Sequence, residues 1–310
     1  MGGLERPARV SLARCASYDP AQVREALEAC LAPLGGLAAH IRPGQRVLLK
    51  PNFLIAASPE QAVTTHPELI LAVAEEVLRL GARCDIGDSP AFGRARQVAR
   101  RLGLLERAEA MGVPVVELAA NAVRGGARLS ASVAAYDAII SLPKLKAHNQ
   151  LVLTAALKNT FGLVAGKAKA WRHLRAGTDP AHFCRMLLAV HRAAAPVLTI
   201  VDAVVAMDTR GPRGGRPFAL SLIAAGADAA ALDTVLCRAV GLTPDSVPLL
   251  AEATACGFGC TDPARIDILG EAPESFPRGF RPPGVLSEVS FSPLVVARSV
   301  LRHLWLKLHR

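Results

Sequence analysis

Basic and imidazole side chains are concentrated in one stretch of the chain, residues 138–178. This stretch has seven Lys or Arg residues and no Asp or Glu, while the formal charge of the whole chain is +10. Its cations follow a short apolar run, Ala138–Ser141, which is typical of a buried strand and which Pro143 ends. Unneutralised cations at the end of a buried strand favour an anionic ligand: a carboxylate, a phosphate or a cofactor bearing one.

A solvated basic surface is the alternative explanation of these charges. However, the cations are interleaved with apolar residues such as Leu145, Leu151 and Phe161, which indicates a packed segment. Their spacing fits neither a helical stripe nor strand alternation. We therefore expect an anion site in this stretch.

The candidate catalytic residues are His148, Lys158 and His173, together with Asp88. Two imidazoles can bind a transition metal or transfer protons, so His148 and His173 are also the candidate metal ligands. A lysine between them can bind a carboxylate, or attach a cofactor covalently if its amine is neutral. The alternatives are a helix cap for His148, a solvent-exposed amine for Lys158 and ordinary turn chemistry for Asp88.

The candidate ligand-binding residues are polar side chains that mostly follow predicted strands. They are Lys50, Asn52, His66, Ser89, Lys144, Lys146, Asn159 and Asp202. Ligands of parallel sheets bind beyond the carboxyl ends of the strands, so these residues could converge on one edge. His66 precedes a predicted helix, where backbone N–H groups can bind an anion or the side chain can simply cap the helix. Turn chemistry is the alternative for Asp202.

Strand-like and helix-like segments alternate along the chain, which predicts an α/β fold: a mostly parallel sheet flanked by helices, in two lobes with a cleft at the strand carboxyl ends. One helix is predicted over Arg94–Met111, and a strand over Leu198–Val201 that Asp202 follows directly. A glycine- and proline-rich loop is predicted over 203–217.

The expected domain spans residues 1–290, with possible lobes 1–178 and 179–290. Residues 291–310 can form a basic amphipathic helix with Arg298 and Arg302 beside an apolar face. Docking on the protein itself or on a dimer mate is the common use of such a helix, and contact with an anionic membrane is the alternative.

Several classes of protein are disfavoured by composition. Two Trp and two Tyr are too few for stacking platforms, so no nucleic-acid partner is expected. The sequence has neither the glycine fingerprint of a dinucleotide site nor a P-loop. Seven scattered cysteines without a C-x-x-C pair indicate reduced thiols and no intrinsic ferredoxin-type cluster. The N-terminal segment lacks the apolar core of a signal peptide, so a cytoplasmic location is expected.

The chain resembles the domain of unknown function 362 family through an ordered series of motifs over about residues 8–270. They are Leu48-Leu49-Lys50-Pro51-Asn52, Thr64-Thr65-His66-Pro67, Ile86-Gly87-Asp88-Ser89-Pro90, Leu142-Pro143-Lys144-Leu145-Lys146-Ala147-His148, Ala156-Leu157-Lys158-Asn159-Thr160-Phe161-Gly162, Ile200-Val201-Asp202 with Gly211-Pro212 downstream, and Ala225-Gly226-Ala227-Asp228 to Ala231-Leu232-Asp233. Members of this family often carry an iron–sulphur ferredoxin module, whose cysteine run this chain lacks. The resemblance implies a fold more firmly than a reaction.

The order His148, Lys158, His173 is also similar to a segment of the nickel-pincer lactate racemases, which hold an organometallic cofactor through a lysine and a histidine. That resemblance implies Lys158 as the attachment lysine, His173 as a metal-side histidine and His148 as the acid–base residue. The residues around these three differ from the racemase pattern, since Asn159-Thr160-Phe161 follows Lys158.

The leading hypothesis is a protein that binds an anionic small molecule or cofactor in a basic strand-end cleft. Redox or proton-transfer chemistry on a carboxylate-bearing substrate, with or without a metal, would follow. The first alternative is an accessory protein for electron transfer or metal-centre assembly, acting with a ferredoxin-like or metalloenzyme partner. The second is a non-catalytic binder of an anionic metabolite.

Overall fold

The structure is a computed structural model that describes residues 7–118, 120–165 and 179–284. Its strands are β1 (Ala8–Arg14), β2 (Arg46–Pro51), β3 (Arg83–Asp88), β4 (Val115–Glu117), β5 (Asn121–Arg124), β6 (Ala127–Ser130), β7 (Ala138–Leu142), β8 (Lys144–His148), β9 (Val152–Thr154), β10 (Leu198–Asp208), β11 (Arg216–Gly226) and β12 (Ile266–Gly270). Its α-helices are α1 (Pro20–Leu31), α2 (Pro67–Arg79), α3 (Ala95–Arg101), α4 (Leu105–Ala110), α5 (Ala156–Asn159), α6 (Pro180–Ala194), α7 (Ala229–Ala239) and α8 (Pro248–Ala255).

Within these described ranges, ten strands form one sheet, in the order β12-β1-β11-β10-β7-β2-β3-β4, with β8 beside β10 and β9 beside β8. Strand β11 is antiparallel to both of its neighbours, and every other neighbouring pair in the eight-strand order is parallel. Strand β8 is parallel to β10, and β9 returns antiparallel to it. This architecture confirms the predicted α/β fold with a mostly parallel sheet. The carboxyl ends of β2, β3 and β7 therefore lie at the same edge.

Two hydrophobic cores lie on opposite faces of this sheet. On β2, Val47 and Leu49 belong to one core and Leu48 to the other, as side-chain alternation along a strand requires. Helices α1 to α4 contribute buried residues to the core of Val47, and helices α5 to α8 to that of Leu48. Burial on both faces explains why the parallel strands read as continuous apolar runs.

Aspartate caps begin three of these helices. Asp19, Asp179 and Asp228 each accept hydrogen bonds from backbone N–H groups of the first turn of α1, α6 and α7. Proline occupies the first position of α1 and of α6, where its missing N–H costs no hydrogen bond.

The basic segment after Pro143 differs from the sequence-based prediction. Lys144–His148 forms strand β8, all five of its residues are buried, and Lys144, Lys146 and His148 alternate along it. The prediction that these residues follow no strand alternation was wrong. Pro143 lies between β7 and β8 and interrupts the hydrogen bonding of the sheet there, because proline has no backbone N–H. The backbone stays extended, since the fixed φ of proline fits an extended chain.

Asp202 does not follow a strand but lies inside one, since β10 continues from Leu198 to Asp208. Most of the predicted loop 203–217 is instead the β10–β11 hairpin, which pairs Ala206 with Phe218 and Asp208 with Arg216. The prediction of a loop from residue 203 was wrong because glycines and prolines are concentrated only in the connection, residues 209–215.

The single helix predicted over Arg94–Met111 is also wrong. Gly103 has a φ of 67°, which separates α3 from α4. Strand β1 was not predicted, although it lies between β11 and β12 within the sheet. The division into lobes at residue 178 stays a prediction, and residues 291–310 lie outside the described residues. No α-helix of the described chain has both the length and the apolar character needed to cross a membrane.

Candidate functional site

Two adjacent parallel strands deliver a buried ion pair to the carboxyl edge of the sheet. Lys50 on β2 and Asp88 on β3 bring Nζ and Oδ1 to 3.0 Å, with side chains 0% and 4% exposed. The Asp88 carboxylate also accepts hydrogen bonds from the backbone N–H groups of Phe53 (2.7 Å) and Ser89 (2.8 Å). Burial lowers the pKa of Lys50, while the Asp88 carboxylate opposes that shift.

Asn159 on α5 ties this pair to the neighbouring strands. Its Nδ2 donates to the carbonyl oxygen of Lys50 and to Ser141 Oγ, each at 3.0 Å. Its Oδ1 accepts from Lys50 Nζ at 3.3 Å and from Asn52 Nδ2 at 3.4 Å. The amide therefore fixes α5 against β2 and β7 through four polar contacts.

Gly162 allows the backbone that follows α5 to approach Lys50 and Asp88 closely. A Cβ atom at this position would lie 2.0 Å from Asp88 Oδ1 and 2.4 Å from Lys50 Nζ. The carbonyl oxygen of Gly162 also accepts a hydrogen bond from the Ser89 backbone N–H at 3.1 Å. Only glycine allows the backbone after α5 to lie directly against the buried ion pair.

Lys146 and Lys158 add two cations to this centre without adding a carboxylate. Lys146 Nζ donates to Asn52 Oδ1 at 2.6 Å and to the carbonyl oxygen of Val63 at 2.9 Å. Burial lowers the pKa of Lys146 well below its ordinary value, and the nearby charge of Lys158 lowers it further. Burial and the charge of Lys50 lower the pKa of Lys158 to about 8.

We call this group the Asp88 cluster. It consists of Lys50, Asn52, Asp88, Lys146, Lys158 and Asn159. It sets three lysine amines against a single carboxylate. Ser89 lies at its margin through the backbone hydrogen bonds described above.

A second group, the Asp202 cluster, consists of Tyr18, His66, Lys144 and Asp202. Lys144 Nζ lies 2.9 Å from Asp202 Oδ2, with side chains 1% and 0% exposed. The Tyr18 hydroxyl accepts a hydrogen bond from Lys144 Nζ at 2.7 Å and donates one to Asp202 Oδ1 at 2.6 Å. Burial lowers the pKa of Lys144, and Asp202 opposes that shift. Burial raises the pKa of Tyr18, and the Asp202 charge raises it further.

His66 completes the Asp202 cluster in its neutral form. Its ring stacks on Tyr18 with centroids 3.5 Å apart, and its backbone N–H donates to Asp202 Oδ2 at 2.8 Å. Burial lowers the pKa of His66 to about 4, although Asp202 opposes the shift. Because His66 Nδ1 accepts a hydrogen bond from the Glu68 backbone N–H at 3.3 Å, the neutral ring carries its proton on Nε2.

The structure thus brings most of the predicted residues into two adjacent clusters but does not gather the predicted histidine pair. His148 lies at the end of β8, where its Nδ1 accepts a hydrogen bond from the Gln150 backbone N–H at 3.2 Å. His173 lies outside the described residues. Their catalytic and metal-binding roles stay predictions.

No three His, Cys, Asp or Glu side chains in the described ranges lie together as metal ligands would. These residues therefore do not by themselves supply a donor set for the predicted metal or organometallic cofactor, and we derive no step through one. The seven cysteines are free; five are buried, Cys256 is exposed and Cys260 is partly exposed.

Two residues of the site were missed by sequence reasoning. Tyr18 lies before α1 and carries no local signal of its contact with Lys144, which is 126 residues away. Asp233 lies on α7 and accepts hydrogen bonds from the backbone N–H groups of Ala156 (2.8 Å) and Leu157 (3.0 Å) at the start of α5. Burial raises the pKa of Asp233 to about 7. A carboxylate within the apolar run Ala229–Leu236 was the available signal.

Two cavities lie away from both clusters. One of about 720 Å³ is lined by residues that include Arg9, Asp228 and Arg265. The other, of about 510 Å³, is lined by residues that include Arg46 and Arg83, at the amino ends of β2 and β3. Neither is lined by a residue of the two clusters.

Comparison with known proteins identifies one curated relative of almost the same length. A thylakoid-associated protein from Synechocystis sp. is 38% identical over 309 residues, which cover 96% of this chain and 95% of that protein. A relative at this identity and coverage shares the whole fold.

Among solved structures, the lactate racemase apoprotein from Thermoanaerobacterium thermosaccharolyticum matches with a TM-score of 0.47 and 10% identity. The match covers 72% of this chain and 54% of the racemase, so it spans about half of that protein. A protein from Thermotoga maritima matches with a TM-score of 0.38 and 11% identity, covering 61% of this chain and 50% of its own. Matches at these TM-scores carry no argument about the chemistry of this chain.

The family comparison agrees with the motifs from Lys50 to Asp233. The family model described as Domain of unknown function (DUF362) matches residues 47–238, a range that contains α5, all but one residue of β2 and of α7, and every lysine of the two clusters. Together with the full-length relative, this match shows that the chain belongs to the domain of unknown function 362 family.

Proposed function

We propose that this chain binds a small carboxylate-bearing molecule at the Asp88 cluster and transfers a proton to or from it. The observation that supports this proposal is the charge imbalance of the cluster. Lys50, Lys146 and Lys158 face the single carboxylate of Asp88, which is already paired with Lys50. A ligand carboxylate against Lys146 and Lys158 would supply the missing negative charge and make charge-assisted hydrogen bonds.

Lys158 is the group that we assign to proton transfer. Its pKa of about 8 lies close to neutral pH, so both the ammonium and the free amine are present under ordinary conditions. Lys50 and Lys144, in contrast, each form a buried ion pair with an aspartate. Within the part of the chain that the structure describes, Lys158 alone among these three lysines forms no ion pair with a carboxylate.

Isothermal titration calorimetry with lactate, oxalate, malonate and inorganic phosphate tests the proposed binding. We expect at least one carboxylate to bind, and Lys146→Met and Lys158→Met to weaken its binding by about tenfold or more, because each variant removes a charged hydrogen-bond donor. Arg24→Met makes the same change of charge at an exposed ion pair with Glu75 and should leave the affinity unchanged. Equal affinity in all three variants contradicts the proposal.

A second candidate function is association with a membrane surface through residues 291–310. The observations that favour it are the thylakoid-associated relative and the four basic residues after Glu288: Arg298, Arg302, Lys307 and Arg310. Anionic vesicles should then sediment the full chain at low salt, whereas a chain ending at residue 290 should stay in the supernatant. Equal sedimentation of the two chains contradicts this second candidate.

The proposed roles as an electron-transfer or assembly accessory and as a non-catalytic binder remain hypotheses. A partner that co-purifies and is released at high salt favours the accessory role. Ligand-dependent stabilisation without turnover favours the binder.

A further inference from the structure

Among the described residues, Lys158 is the one lysine of the Asp88 cluster whose amine forms no hydrogen bond or ion pair. Lys50 Nζ is held by Asp88 and by the carbonyl oxygen of Pro51, and Lys146 Nζ is held by Asn52 and by the carbonyl oxygen of Val63. Lys158, half-buried, forms no hydrogen bond or ion pair with any residue of the described ranges. Its amine is therefore available to a ligand that reaches the cluster.

The backbone that carries Lys158 is fixed on both sides of this residue. Immediately before it, Asp233 accepts the N–H groups of Ala156 and Leu157. Immediately after it, Asn159 is bound to Lys50 and Ser141. The Cα atom of Lys158 therefore has a fixed position beside the cluster, which limits the region that its amine can reach.

The surroundings of Lys158 favour its neutral, nucleophilic form. Burial and the positive charge of Lys50 both act against the ammonium, and they outweigh the opposing effect of Asp88. Desolvation next to another cation is a known way to activate a lysine as a nucleophile. With a pKa of about 8, roughly a tenth of the side chain is a free amine at pH 7.

Lys146 offers the neighbouring position for an anionic group. It is electrostatically coupled to Lys158, and its described partners, Asn52 Oδ1 and the carbonyl oxygen of Val63, are uncharged. A ligand whose carboxylate contacts Lys146 would place an adjacent functional group beside Lys158. A carbonyl carbon is the functional group that an uncharged amine attacks.

We propose that Lys158 forms an imine with a 2-oxo acid whose carboxylate is held by Lys146. The nitrogen lone pair attacks the carbonyl carbon, and the carbonyl oxygen leaves as water together with both hydrogens of the amine as the C=N bond forms. No oxidant or reductant is required. This inference rests on the proposed function, because the carboxylate site is what brings the carbonyl group to the amine.

Reductive trapping tests this inference on the full-length protein. Pyruvate or glyoxylate is added with sodium cyanoborohydride, and the digested protein is mapped by mass spectrometry. The peptide that carries Lys158 should gain the mass of the acid less one oxygen atom, faster than any other lysine peptide. Lys158→Arg keeps the positive charge but lacks a primary amine, so this site-specific label should be lost. Labelling spread equally over the lysines and the N-terminus overturns the proposal.

Calorimetry with lactate separates failure of the imine from failure of the carboxylate site. Lactate carries the same carboxylate as pyruvate but no carbonyl group. Lactate binding without a Lys158 adduct from either 2-oxo acid overturns the imine and leaves the proposed function standing. Absence of binding by lactate, pyruvate and glyoxylate overturns both proposals.

Discussion

Lys144 and Lys146 lie two residues apart on β8, and the structure buries both side chains, yet their ammonium groups meet different partners. Lys144 contacts the Asp202 carboxylate and the Tyr18 hydroxyl. Among the described residues, Lys146 donates to uncharged oxygens of Asn52 and Val63. Burial lowers the pKa of Lys146, and the like charge of Lys158 lowers it further. One strand thus supplies one buried lysine that is paired with a carboxylate and one that is not.

This difference separates two uses of a buried lysine. An ammonium that is paired with a carboxylate is part of the fold, because removing either partner leaves an isolated charge. An ammonium without a carboxylate raises the energy of the empty site and is favoured when an anion arrives. In the Asp202 cluster, the paired Lys144 is therefore part of the fold. In the Asp88 cluster, Lys146 and Lys158 fit a site that is completed by an anion.

The largest expected loss of stability comes from breaking the ion pair between Lys144 and Asp202. Asp202→Asn should lower the free energy of unfolding by about 3–5 kcal/mol, because it leaves the Lys144 ammonium buried without a counter-charge. Urea denaturation at pH 7 measures this loss. The double variant with Lys144→Met removes the stranded cation and should recover part of the stability. A double variant no more stable than Asp202→Asn contradicts the comparison.

A smaller loss of stability is expected when a side chain is added next to the ion pair between Lys50 and Asp88. Gly162→Ala should cost about 1–3 kcal/mol, since the added Cβ would overlap Asp88 Oδ1 and Lys50 Nζ, and both are held by further hydrogen bonds. Thermal melting compares it with Gly284→Ala, where no atom of the described residues lies within 4 Å of the added Cβ. Similar melting temperatures for the two variants contradict the tight packing at Gly162.

The sequence was sufficient to predict the sheet edge but not the pairing of its charges. Lys50 and Asp88 follow apolar runs, so the shared direction of parallel strands predicts that they meet. Which of Lys144 and Lys146 has a carboxylate depends on Asp202, and its position inside β10 was hidden by the glycines of the following connection. The Tyr18 contacts with Asp202 and Val205 depend on the segment before α1 lying against β10, which no local pattern encodes.

Strand β8 could have been recognised from the alternation of Lys144, Lys146 and His148 with Leu145 and Ala147. The alternation covers only five residues and is followed by a tight return into β9, so it was obscured within the longer irregular stretch. Short strands with buried polar residues conflict with the usual apolar pattern, and a sequence violates that pattern most often at functional or strained sites.

Tyr18→Phe tests how much the Tyr18 hydroxyl adds to the ion pair between Lys144 and Asp202. The variant keeps the ring that stacks on His66 but loses a hydroxyl that bonds both Lys144 and Asp202. We expect a loss of about 1–2 kcal/mol in urea denaturation, because one neutral group is removed while the ion pair stays. A loss as large as that of Asp202→Asn would mean that the hydroxyl, and not the carboxylate, holds Lys144.

The smallest expected change is a gain in stability, and it comes from replacing Lys158 in the Asp88 cluster. Lys158→Met should raise the free energy of unfolding at pH 7 by about 1 kcal/mol, because it replaces an unpaired cation by an apolar side chain of similar length. The pKa of Lys158 is lowered from 10.5 to about 8 by folding, so the folded state releases its proton first as pH rises. Below pH 8 the wild-type chain bears the full cost of the charge.

This cost should disappear between pH 8 and 10.5, where only the unfolded chain keeps the proton on Lys158. The advantage of Lys158→Met over the wild type is therefore largest at pH 7 and vanishes towards pH 10.5. Urea denaturation of both proteins across this range measures it, and Arg24→Met serves as the exposed control. A pH-independent difference would show that Lys158 is not an uncompensated cation in the folded chain, and would remove Lys158 from the contrast between the two clusters.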